Sequence, residues 1–155
     1  LIRAIIKSPM KVSSGMTKNI RTSKPEDSVK KAAMIMNKYR IGDVIIEGDR
    51  KAIGIITERD ILKKVVALGR KPEDVKCKAI MRRPVITIDE NSSVTDAIDV
   101  MAKKNIKKLP VTKDGELVGI VTATDILKSG EKIEYAVLKK LAQFYPVYQP
   151  SGQGG

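Results

Sequence analysis

Shifting the chain by 65 positions against itself brings two stretches into register without a gap, and this internal repeat constrains the fold more than any other feature. Met16 falls on Met81, Thr22 on Thr87, Ser28-Val29 on Ser93-Val94 and Ala32 on Ala97. Further along, Met36 falls on Met101, Ile41 on Ile106, Asp49 on Asp114, Gly54-Ile55 on Gly119-Ile120 and Thr57 on Thr122. The match ends with Asp60-Ile61-Leu62-Lys63 on Asp125-Ile126-Leu127-Lys128. Most other aligned positions keep their apolar character. The chain therefore contains two copies of one supersecondary unit.

Each copy reads in the same order. A short extended segment, around Ile20 to Thr22 or Val85 to Ile88, leads into a polar cluster suited to capping a helix. Val29, Ala32, Ala33 and Met36, like Val94, Ala97, Ile98 and Met101, then recur at the spacing of a helix with one apolar face. Two strands follow, with turns expected at Gly48-Asp49 and Asp114-Gly115. A second helix begins near Thr57 or Thr122. The expected fold is α/β (α+β), with two β-α-β-β-α repeats packed about a pseudo-two-fold axis into one module, because neither unit alone covers both faces of its sheet. The expected boundaries are an N-terminal segment at 1–10, repeats at 11–69 and 76–130, and a linker at 70–75. Ile133, Ala136, Val137, Leu141 and Phe144 predict an amphipathic helix over 131–146, followed by a flexible tail at 147–155.

Composition narrows the function classes. No His is present and Cys77 is the only cysteine, so Cys–His catalysis, His-ligated metal sites and intrachain disulfides are excluded. There is also no phosphate-binding GxxxxGK[ST] loop and no cluster of metal-ligating residues, so no catalytic or metal residue is expected. No apolar run approaches the roughly 18 residues of a membrane span and no secretory signal is visible, so a cytoplasmic protein without membrane contact is expected. The chain starts at Leu1 rather than Met, so residues preceding it are expected. The net charge of +12 attracts polyanions. The lysines are nevertheless spread along the chain, without interleaved aromatic residues to stack bases.

The unit resembles the cystathionine-β-synthase-type (CBS) domain, a family that occurs as tandem pairs. The resemblance rests on Met16-Thr17 and Thr22, Ser28-Val29 with Ala32, Ile41-Gly42-Asp43-Val44, and the stretch from Gly54 to Leu62. In the second copy it rests on the stretch from Ile106 to Val111 and that from Gly119 to Leu127. Together these cover the chain from about Lys11 to Lys128. The resemblance implies a non-catalytic regulatory module that binds AMP, ADP, ATP or S-adenosylmethionine in the cleft between the repeats. It also implies a homodimer whose ligand-dependent packing is read by an effector protein.

The family pattern of a hydroxyl and a carboxylate at the strand-to-helix junction carries over as Thr57 with Asp60 and Thr122 with Asp125. A carboxylate can accept hydrogen bonds from both ribose hydroxyls, and a threonine at a helix start suits a phosphate. The same Thr-x-x-Asp spacing is also a helix capping box, so a purely structural role stands beside the ligand role. On the family geometry, a ligand anchored by Asp60 directs phosphate toward Lys107 and Thr124. One anchored by Asp125 directs it toward Arg59 and Gly42. Ile20, Thr22, Ile41 and Val44 would line one adenine slot, and Val85, Thr87, Leu109 and Pro110 the other. The alternative function is a basic nucleic-acid-binding or protein-interaction module on the same scaffold.

Overall fold

The computed structural model describes residues 10–128, 140 and 142–144. The segment expected at 1–10 apart from Met10, most of the helix expected over 131–146 and the tail at 147–155 lie outside the described residues.

Serines start the two long helices. The Ser28 hydroxyl accepts a hydrogen bond from the Lys31 amide and opens α2 (Val29–Tyr39). Ser93 opens α5 (Val94–Lys104) with a complete capping box, its hydroxyl bonded by the Asp96 amide and its own amide bonded to the Asp96 carboxylate. Both helices end on a left-handed residue, Arg40 or Asn105. The predicted stripes are buried, with Ala33 only half-buried. Burying side chains the size of Ile98 or Met101 stabilises the fold by about 1.5–3 kcal/mol each.

Each repeat builds a three-stranded sheet. β1 (Thr22–Ser23) runs parallel to β2 (Asp43–Gly48), which pairs antiparallel with β3 (Lys51–Thr57). The second repeat repeats this with β4 (Ile88–Asp89), β5 (Lys108–Lys113) and β6 (Glu116–Thr122). β3 leads into α3 (Glu58–Ile61), which continues as a π-helical turn over Leu62–Val66, and β6 leads into α6 (Ala123–Lys128). A 3₁₀ turn at Pro72–Asp74 and a short α4 (Cys77–Ile80) join the repeats, and α1 (Val12–Gly15) precedes the first.

The first hairpin turns one residue later than the sequence suggests. Gly48 pairs with Lys51, so the turn residues are Asp49 and Arg50, at φ 48° and 61°. Asp114 and Gly115 hold the matching places at φ 51° and 80°. Two positive φ values suit the right-handed twist of the strands but strain any residue with a Cβ. The Arg50 side chain makes a 4.0 Å ion pair with Glu116 at the surface, which contributes little, and its carbonyl accepts from the Leu117 amide at 2.7 Å, a bond that glycine keeps. Arg50→Gly, which restores the residue of the second copy, is expected to raise stability by up to about 1 kcal/mol, readable in urea denaturation.

The packing units are not the sequence units. Val12, from the head of the first repeat, has no exposed surface and sits in the core of the second repeat among Val94, Ile98 and Leu109. Cys77 and Ile80, from the head of the second, sit in the core of the first among Val29, Val44 and Ile56. Backbone bonds fix this exchange: Val12 N to Ser92 O at 2.8 Å and Val94 N to Met10 O at 2.8 Å in one half, Cys77 N to Asp27 O and Val29 N to Val75 O at 2.8 Å in the other.

Reciprocal contacts mark the pseudo-two-fold. Thr17 bridges to Ile120, and Arg82 bridges to Ile55. A Cβ on Gly119 would lie 2.5 Å from the Met16 sulfur, and one on Gly54 would lie 2.4 Å from the Met81 sulfur. Val44 and Ile46 face the core of their own repeat, whereas Ile45 between them points the other way and is also buried, as is Pro110 in the second repeat. Burial on both faces explains why β2 is a continuous apolar run rather than an alternating one. At the start of these strands Asp43 and Lys108, equivalent positions 65 apart, meet in an ion pair of 2.9 Å.

Candidate functional site

Thr57 and Asp60 carry out the capping role in full. The Asp60 amide donates to the Thr57 hydroxyl at 3.2 Å, while the Thr57 amide and hydroxyl both donate to Asp60 Oδ2, at 3.0 and 2.9 Å. Arg82 Nε reaches across from the second repeat to the same oxygen at 3.1 Å, and Lys64 Nζ stands 3.5 Å from Oδ1. Burial pushes the Asp60 carboxyl up, but the Thr57 hydrogen bonds and the Arg82 and Lys64 charges outweigh it and hold the group below its ordinary value.

A carboxyl held low in the folded state contributes stability above the ordinary carboxylate range, and loses it as pH falls through and below that range. Asp60→Asn is therefore expected to be less stable than the parent at neutral pH, with the gap closing below about pH 4. Denaturation midpoints compared between pH 7 and acid would show this, and a gap independent of pH would contradict it.

Thr122 and Asp125 occupy the equivalent places but make only half of that arrangement. The Asp125 amide donates to the Thr122 hydroxyl at 3.0 Å. The return bond from the Thr122 amide is not made, and among the described residues no side chain pairs with the Asp125 carboxylate. This carboxylate, half-buried, lines a cavity of about 180 Å³ between the repeats. Ile20, Ile41, Ile45 and Ile120 form apolar walls, and Thr17, Thr122 and Asp125 supply polar atoms on one side. Asn19, Arg21 and the Asp43–Lys108 pair complete the rim. The Arg21 guanidinium is steadied there, 3.9 Å from the centre of the Tyr39 ring.

The structure brings four expected site residues to this cavity: Ile20, Ile41, Thr122 and Asp125. Gly42 and Lys107 are exposed, and their carbonyls accept bonds from the Glu58 and Ala123 amides that open α3 and α6, at 3.0 and 2.8 Å. Arg59 is exposed in the first turn of α3, and Thr124 is exposed in α6. Thr22 opens β1, Thr87 is exposed before β4, Leu109 is wholly buried in the core of the second repeat, and Pro110 is buried on the opposite face of β5. Sequence reasoning does not single out Thr17, Asn19, Arg21, Asp43 or Lys108 as site residues. Their common signal is that each differs from its partner under the 65-residue shift, being matched to Arg82, Pro84, Ile86, Lys108 and Asp43 respectively.

The CBS domain family model matches residues 11–67 and 77–132. An uncharacterised protein of Methanopyrus kandleri is 36% identical over 129 residues, covering 82% of this chain and 66% of that protein. Inosine-5'-monophosphate dehydrogenase of Aquifex aeolicus is 37% identical over 123 residues, covering 76% of this chain but 24% of the enzyme. The chain thus spans just under two thirds of the first relative and about a quarter of the second. Among solved structures, a hexameric CBS-CP12 protein from bloom-forming cyanobacteria has a TM-score of 0.66 at 28% identity, covering 78% of this chain and 68% of that one.

Proposed function

This chain belongs to the CBS domain family, and we propose that it is a non-catalytic regulatory module binding AMP, ADP, ATP or another adenosyl compound such as S-adenosylmethionine in the cleft at Asp125. The observation that carries this reading is the Asp125 carboxylate, which lines an apolar cavity, whereas Oδ2 of its counterpart Asp60 accepts three hydrogen bonds. The carboxylate accepts from the ribose hydroxyls, and the isoleucine walls receive the flat base. At about 180 Å³ the cavity is smaller than the roughly 300–1,000 Å³ usual for ligand pockets. It therefore suits the base and part of the sugar, with the phosphates outside it toward Arg59 and Gly42.

Self-association fits the same reading. Helix α2 and the continuation of α3 expose Met34, Leu62 and Val66, each about three-fifths accessible. The hexameric state named for the cyanobacterial relative supports assembly of such modules, and a homodimer would let an effector protein read the ligand. The nucleic-acid reading has less support, because Lys31, Lys64, Lys76, Lys78, Lys108 and Lys113 are held in ion pairs. Isothermal titration of the folded protein with AMP, ADP, ATP and S-adenosylmethionine tests the proposal. Saturable heat from at least one is expected, and silence from all four rejects it.

A further inference from the structure

We infer that Arg82 closes the Asp60 counterpart of the cleft, so that the chain takes one nucleotide, at Asp125, rather than two. This inference rests on the nucleotide reading above. The pseudo-two-fold relates two sites built on equivalent backbone. On the Asp125 side, Thr17 and Ile120 exchange backbone hydrogen bonds of 2.8 and 2.9 Å, and on the Asp60 side Arg82 and Ile55 exchange bonds of 2.9 and 3.0 Å. The walls are also equivalent, since Ile106 stands for Ile41 and Ile55 for Ile120.

The first difference is a side chain at the mouth. Thr17 is short and leaves Asp125 facing the cavity. Arg82, in the same place, lays its guanidinium on Asp60 Oδ2 at 3.1 Å. With the Thr57 amide and hydroxyl on that oxygen as well, three donors occupy it and its acceptor capacity is used. The other oxygen, Oδ1, faces the Lys64 ammonium at 3.5 Å, so a ribose that bonds Asp60 through both hydroxyls has to compete with charged partners on both oxygens. A second difference points the same way: the polar Asn19 and Arg21 of the open side are matched by Pro84 and Ile86. Apolar residues hold the matching wall positions on the closed side, but the anchor there is taken.

Arg82 is more than half exposed, so replacing it removes a plug without opening a core void. The test is isothermal titration with AMP and with ATP of the parent, Arg82→Thr, Asp125→Asn and the double variant, with circular dichroism to confirm folding and Arg82→Ala as a second form of the same change. At concentrations that just saturate the parent, the expected stoichiometries are one for the parent, two for Arg82→Thr, no measurable site for Asp125→Asn and one for the double variant. A parent that already binds two overturns the inference. So does an Arg82→Thr protein that stays at one while its double variant binds none, although the nucleotide reading then stands. If none of the four proteins binds AMP or ATP, this inference falls, and the adenosyl reading is then decided by the titrations with ADP and S-adenosylmethionine.

Discussion

Asp125→Asn is expected to weaken binding of the adenine nucleotide by about a hundredfold while leaving the fold intact. A hydrogen bond to a charged group contributes about 1.5–3 kcal/mol, and 1.4 kcal/mol is a factor of ten in affinity. Asn keeps the size of the side chain, but it removes the charge and turns one acceptor into a donor facing two ribose hydroxyls. The fold should be indifferent, because the Asp125 contribution to the helix start is its backbone amide on the Thr122 hydroxyl, which the substitution retains. Titration gives the affinity and thermal unfolding gives the control. An affinity within threefold of the parent, with equal melting temperatures, would show that the ribose is anchored elsewhere.

The largest effect on stability is expected from Gly54→Ala. A Cβ there would lie 2.4 Å from the Met81 sulfur, 2.8 Å from its Cγ and 2.9 Å from its Cβ. Turning the methionine moves the sulfur and Cγ, but its Cβ is set by the backbone, and that backbone is tied to the first repeat by the Ile55–Arg82 bridge. Overpacking of this kind costs about 1–3 kcal/mol. At roughly 2–4 °C per kcal/mol for a chain of this size, the melting temperature should fall by several degrees. Met81→Ala should recover part of the loss, because it clears the sulfur and Cγ but leaves the Cβ contact. Gly119→Ala should be rescued at least as well by Met16→Ala, since the contact left there, the Thr17 carbonyl at 3.1 Å, is wider than the 2.9 Å Met81 Cβ contact left at Gly54. Double-mutant cycles measure both couplings. Purely additive energies in the Gly54 pair would contradict this account of the glycine.

Much of the architecture is legible in residue order. Periodicity at Val94, Ala97, Ile98 and Met101 placed a helix face that is buried throughout. Asp114-Gly115 marked a hairpin whose turn residues have positive φ. The first hairpin was harder to place, because Arg50 holds a left-handed position that its residue type does not announce, and Gly48 beside it draws attention one residue too early. The candidate site was legible at Thr122 and Asp125 and at two apolar wall residues, Ile20 and Ile41. Thr17 and Lys108 come to the same cavity across the two-fold. No local pattern around either residue encodes that approach.

Taken alone, the order of residues determined that the chain holds two copies of one unit, how each unit runs, and that Thr57/Asp60 and Thr122/Asp125 are equivalent pairs. It determined this because helix period, strand alternation and capping are local properties, repeated at one spacing. Only the tertiary structure decided that the head of each repeat packs in the core of the other, carrying Val12 and Cys77 across. Only it decided, too, that the equivalent pairs are not alike. That exchange brings Arg82 to Asp60 and Thr17 to the Asp125 cavity. Whether a carboxylate is bonded or available depends on which side chain arrives from far away in the chain, and that is a property of packing.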